Sequence, residues 1–168
     1  MYPGTYLPSP VLGNNLSLRG RKGTVYEGGI RVPAFVNWPG TLNPEKLIHP
    51  IHMVDWMPTL LNLCHYETSE DLLFDGMDVW PLLTGKEQHP ESRILYFKRG
   101  NNFAIREGSM KLVQSEPETV ELFDLQADPY EEKDLSKDKA YLGQVEKLSG
   151  ILEEQRSLDK AGLFLELN

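Results

Sequence analysis

The sequence predicts a chain of mixed α and β elements in two pieces, the second a four-stranded antiparallel sheet covered by a helix. Three observations predict this. After Pro90, four short apolar runs recur between turns that carry Gly, Asn or Pro. From about Lys139 to Leu158 the apolar residues return at helical spacing. Before Pro90 there is one apolar run and one helical pattern, too few strands to make a sheet without partners.

Composition bounds the class. A chain of 168 residues, 40% hydrophobic and 25% charged, is about one ordinary globular domain with room for a core. Its net charge of -8 argues against non-specific binding to nucleic acid or an anionic membrane. The acid is uneven, with 13 acidic and 6 basic residues from Glu116 to Lys160. The remainder is close to neutral, and its densest cationic cluster is Arg19, Arg21 and Lys22. Cys64, the sole cysteine, excludes an intrachain disulfide and a cysteine-based zinc site. Its apolar neighbours predict a small buried hydrophobe. No apolar run approaches the roughly 18 residues of a membrane span. Met1 to Tyr6 has neither a basic nor an apolar stretch, so no signal peptide is expected there. Asn15-Leu16-Ser17 is a single glycosylation sequon, a weak match.

Taken in order, residues 1 to 17 are rich in Pro, Gly, Ser and Asn and read as irregular chain. Ile30 to Trp38 reads as a short buried strand closed by Pro39-Gly40, with Pro33 confining it to an edge or to the strand's start. From His52, the residues Met53, Trp56, Met57, Leu60, Leu61 and Cys64 give a helix one broad apolar face. Pro58 places the start of the regular helix at about Asp55 to Met57, with Asp55 as its N-cap. Asp75-Gly76 is a turn, and Val79 to Leu83 a short helical turn stopped at Gly85. The strands are expected at Ile94–Phe97, Phe103–Arg106, Met110–Val113 and Val120–Phe123, with a tight hairpin at Glu107-Gly108-Ser109 and one face covered. In the last helix Leu142, Val145, Leu148, Ile151 and Leu152 share a face, and Gly143 and Gly150 weaken it. Leu163-Phe164-Leu165 docks or frays.

For chemistry, His49, His52, His65 and His89 show no metal-ligand spacing, and His52 with Asp55 suits a helix start as well as a ligand pair. No nucleophile elbow, phosphate loop or dinucleotide fingerprint occurs. The acidic run Asp128 to Asp134 lacks the alternation of a calcium loop and reads as a solvated turn. One candidate is left, the stretch Leu18-Arg19-Gly20-Arg21-Lys22-Gly23 with Gly28-Gly29 after it. Arg supplies a planar fork of donors, Lys a point charge, and Gly close backbone approach, which together can hold a phosphate or sulfate. A solvated basic loop is the plainer alternative.

Several strings together resemble the sulfatases, most closely the arylsulfatase B-like branch. They are Gly13-Asn14-Asn15, Leu18 to Gly23, Tyr26-Glu27-Gly28-Gly29 and Arg31 to Phe35; then His52 to Leu61; Asp75 to Leu83; and Glu121 to Leu125 with Asp128 to Glu131. The resemblance implies part of an alkaline-phosphatase-like α/β sulfatase fold with a C-terminal α+β subdomain of four antiparallel strands and a helix. It divides the chain into residues 1–12, which do not match, 13–92 as the last part of the main domain, and 93–168 as the subdomain. In such enzymes a hydrated formylglycine, made from a C/S-x-P-x-R motif, attacks sulfur, and a calcium ion held by Asp and Asn polarises the sulfate. The family's sulfate-contacting lysine falls on Lys22, a catalytic and substrate-binding position. Arg19 and Arg21 fall beside it in the substrate-binding loop, and with Glu27 also suit loop shaping. No C/S-x-P-x-R occurs, and Tyr2 to Tyr6 stands where the metal-binding Asp-Asn-Gly is expected. The expectation is the C-terminal part of a sulfatase acting on aryl sulfates or sulfated sugars, without formylglycine or calcium ligands and inactive in isolation. A non-catalytic interaction module and a bare anion-binding protein are the alternatives.

Overall fold

The computed structural model describes residues 15–67, 73–87, 93–115 and 119–159. The expectations for residues 1–12, Gly13-Asn14, His89 and Leu163 to Leu165 lie outside these. Contacts divide the chain into two units, Met1–Val32 with Tyr96–Asn168, and Pro33–Leu95.

The sheet runs in the order β1-β2-β3-β4, with strands β1 (Ile94–Arg99), β2 (Asn102–Glu107), β3 (Met110–Ser115) and β4 (Val120–Asp124), and from Tyr96 onward it belongs to the first unit. Each strand lies where its apolar run predicts. Glu107 pairs with Met110 across the two-residue turn Gly108-Ser109, and Gly108 takes φ +59°, the left-handed region that glycine enters without a Cβ clash. Register then sorts the side chains. Ile105, Leu112 and Leu122 are directly opposed, as are Ala104 with Val113 and Lys111 with Phe123, so these sets occupy opposite faces.

Helix α4 (Leu142–Ser157) packs on β2 and β3, with Leu148 and Leu152 buried and the Arg156 guanidinium 4.5 Å from the Phe103 ring centre. Leu142, expected on the buried side, is instead exposed in the first turn. The opposite face is covered too, contrary to the expected single cover. Val25 packs into a buried cluster with Ala104, Val113, Phe123 and Leu125, flanked by Tyr26 and Phe97. The segment preceding the short helix α1 (Glu27–Ile30) thus closes a sheet that follows it by some seventy residues.

The second unit departs further from its pattern. No strand forms over residues 31–38, and Phe35 is 92% exposed. A strand needs a neighbouring ladder, and none of the described residues pairs with this one. A 3-10 turn (Met53–Asp55) leads into α2 (Trp56–Leu63), with Pro58 in the first turn as expected. Here the apolar stripe is outside: Met53, Met57, Leu60 and Cys64 are exposed, whereas Asp55 and Thr59 are buried. Cys64 is therefore not a core residue.

The reason is a polar hub. Asp55 makes no side-chain cap on α2; its carboxylate accepts from the His52 and Met77 amides and from both terminal nitrogens of Arg93, at 2.5 and 2.6 Å. Thr59 Oγ1 donates to the Asp55 carbonyl and accepts from the Val79 amide, at the entry to α3 (Trp80–Leu83). Burial works against the Asp55 charge, but the Arg93 fork and the two amides overcome it and hold the carboxyl below its ordinary 3.8.

A carboxyl with a lowered folded pKa contributes stability above its unfolded pKa and loses it as pH falls through the folded value. Asp55→Asn should lower stability by about 3 kcal/mol at neutral pH, and the loss should shrink only as pH falls from 3.8 through the lower folded value. Urea unfolding over a series of pH values measures it.

Candidate functional site

The basic loop begins and ends on the sheet face described above. At its start, Arg19 donates to Glu121 Oε1 at 2.9 Å and to the Glu131 carbonyl at 3.1 Å, and lies 4.2 Å over the Tyr26 ring. Tyr26 donates a short hydrogen bond to the other Glu121 oxygen. At its end, Glu27 is buried with its carboxylate 2.9 Å from Lys111 Nζ. Lys111 is also 2.8 Å from Glu131 Oε1, and Glu131 Oε2 accepts from the Glu27 amide at 2.7 Å. The Lys111 and Glu131 side chains are 0% exposed.

The acidic turn is therefore not solvated at Glu131. Burial pushes the Glu131 carboxyl above its ordinary 4.5, against the opposing pull of Lys111 and the Glu27 amide. Around it, Asp128 accepts from the Lys133 amide and Asp134 from the Leu122 amide.

Between the two feet the loop is drawn tight. The Gly28 amide donates to the Arg19 carbonyl at 2.7 Å, and Asn15 Nδ2 donates to the Gly28 carbonyl at 2.7 Å. The Gly-Gly pair is demanded by this closeness. A Cβ on Gly28 would lie 2.6 Å from the Arg19 carbonyl oxygen, and one on Gly29 would lie 2.1 Å from that of Thr24. Thr24 Oγ1 bonds both the amide and the carbonyl of Arg21, pinning the turn that carries Lys22.

The three cations thus differ in their surroundings. Arg19 is half-buried and engaged with Glu121 and Tyr26. Arg21 and Lys22 are exposed, and among the described residues no ion pair or hydrogen bond engages either side-chain cation. An exposed ammonium on a fixed turn can stabilise negative charge on a tetrahedral anion without bonding to it. Sequence reasoning singled out this loop but missed Lys111 and Glu131. Lys111 sits at an alternating strand position that normally faces water, and Glu131 lies in an acidic run.

Calcium does not fit these residues. No group of three or more His, Cys, Asp or Glu among the described residues could hold a metal ion, and the carboxylates beside the loop are engaged by Lys111 and Arg19. No helix among the described residues is long and apolar enough to cross a membrane.

This sheet-and-helix unit is that of a sulfatase C-terminal domain. Residues 21–158 match the family described as N-sulphoglucosamine sulphohydrolase, C-terminal, and the chain belongs to that family. It is 31% identical to mouse arylsulfatase J over an alignment of 186 positions that covers 81% of this chain and 31% of that protein. It is 41% identical to rat steryl-sulfatase over 85 residues, 50% of this chain and 15% of that one. Among solved structures it resembles Ps i-CgsB in complex with k-i-k-neocarrahexaose, with a TM-score of 0.76 and 27% identity over 84% of this chain and 32% of that one. A Bacteroides thetaiotaomicron protein described in the metabolism of multiple glycosaminoglycans gives a TM-score of 0.72 at 27% identity, with the same coverage. The chain thus spans under a third of the length of these relatives and carries part of their alkaline-phosphatase-like fold.

Lys111→Met should destabilise the first unit by about 3–5 kcal/mol at pH 7, because Glu131 stays buried without its cation and Glu27 keeps only Arg31, 3.9 Å away. Glu131 has a raised folded pKa, so its contribution is present below about 4.5 and lost as pH rises. The variant's thermal midpoint should therefore rise on acidification from pH 7 toward 5, read by circular dichroism.

Proposed function

We propose that this chain is the C-terminal part of a sulfatase that hydrolyses sulfate esters, and that it contributes Lys22 as the catalytic cation that binds the sulfate. The observation that carries the reading is the contrast within one loop. Arg19 and Glu27 are consumed in anchoring it, while Lys22 stands exposed on a turn whose shape Thr24, Gly28 and Gly29 fix. Arg21 stands beside it as a second sulfate-binding cation. Nucleophile and calcium ligands come from the part of a sulfatase outside this family match, so the 168-residue chain alone is inactive. That same part covers the apolar residues Phe35, Met53, Met57 and Leu60, which the second unit leaves exposed. The substrate class is a sulfated sugar or an aryl sulfate, in keeping with the carbohydrate bound to one structural relative and the arylsulfatase name of another.

The test exchanges residues 13–158 into mouse arylsulfatase J in place of its matching segment. The isolated chain should give no turnover of an aryl sulfate, and the exchanged enzyme should. Lys22→Ala should then lower kcat/KM by about 10²-fold or more. An active exchanged enzyme that kept its kcat/KM after Lys22→Ala would overturn the reading.

A further inference from the structure

Glu131 hydrogen-bonds both feet of the basic loop. Its carbonyl accepts from Arg19 at the loop's start, and its carboxylate accepts from the Glu27 amide at the loop's end. The same carboxylate is tied to the sheet through Lys111, which also holds the Glu27 side chain. Its backbone takes φ +58°, a left-handed conformation that a residue with a Cβ adopts at a cost. Non-glycine residues persist there when their surroundings over-determine them. Here the conformation lets carbonyl and carboxylate reach the two feet together. A glycine would relieve the backbone and lose the carboxylate.

We propose that Glu131 is a positioning residue for sulfate binding: it clasps Arg19 and Glu27 so that the turn between them presents Lys22 in one place. It touches no substrate and acts through the loop. The proposal rests on the reading of Lys22 as the sulfate-binding cation.

The discriminating quantity is KM, together with inhibition by inorganic sulfate. A residue that only supports folding changes how much enzyme is folded, which lowers the maximal rate and leaves both constants alone. A positioning residue changes both. In the exchanged enzyme described above, Glu131→Ala should raise KM for the aryl sulfate and the inhibition constant of sulfate by about tenfold each. Glu131→Gln keeps an acceptor for the Glu27 amide and should restore both constants. Glu131→Asp is too short to reach that amide and should not. Should Glu131→Ala fail to fold, the Gln and Asp pair decides alone. Loss of maximal rate or thermal midpoint with both constants unchanged overturns the proposal, as does equal behaviour of Gln and Asp. Lys22→Ala separates the two levels: if it leaves KM and sulfate inhibition unchanged, the sulfate reading falls. Amide exchange at residues 20–27 of the full 168-residue chain then judges the clasp by itself. Faster exchange in Glu131→Ala than in Glu131→Gln supports it, and equal exchange overturns it.

Discussion

A single ammonium, Lys111 Nζ, lies between two buried carboxylates, and the first unit depends on it. Glu27 comes from the loop before the sheet and Glu131 from the turn after it, so three distant segments meet at one charge. Burial already pushes the Glu131 carboxyl above its ordinary value, and leaving that charge unpaired there would cost several kcal/mol. Such a group does little for net stability compared with a well-packed apolar core, but it is demanding about geometry. Only one docking of loop on sheet satisfies all three groups. An apolar contact at the same place, such as Val25 against Phe123, tolerates sliding.

That demand explains the division of labour along the loop. The residues that look most suited to grip an anion by composition include Arg19, yet three of its N–H donors go to Glu121, Tyr26 and a backbone carbonyl. Rigidity at the feet leaves the tip the freedom to be exposed without being loose. On the proposed reading of Lys22, a cation presented this way would need little reorganisation on meeting charge, which is the condition under which electrostatic stabilisation is strongest.

The periods of the chain made the sheet, its hairpin and α4 legible, because local alternation and helical spacing decide them. What they could not show was which faces would be covered. Lys111 sits at a polar position of a strand whose face is closed by a segment far earlier in sequence, so alternation pointed it to water. In α2 the same logic failed in reverse. The stripe Met53, Met57, Leu60 and Cys64 is exposed, because the polar bonds of Asp55 and Thr59 occupy the inner side of that unit. Glu131 was hidden by its acidic neighbours, which do face solvent. The loop itself was legible through its glycines, though their reason, two close backbone approaches, is visible only in three dimensions.

The clasp also fixes an order of events during synthesis. Arg19 and Glu27 are separated from Glu131 by 112 and 104 positions. Contacts this distant in sequence form late, after the local hairpins that build the sheet. A ribosome that has released Lys22 must extend the chain past β4 and its following turn before the loop can close. Until then Arg19 and Glu27 lack their partners on Glu131, and a polypeptide cut short within β3 would never close the clasp.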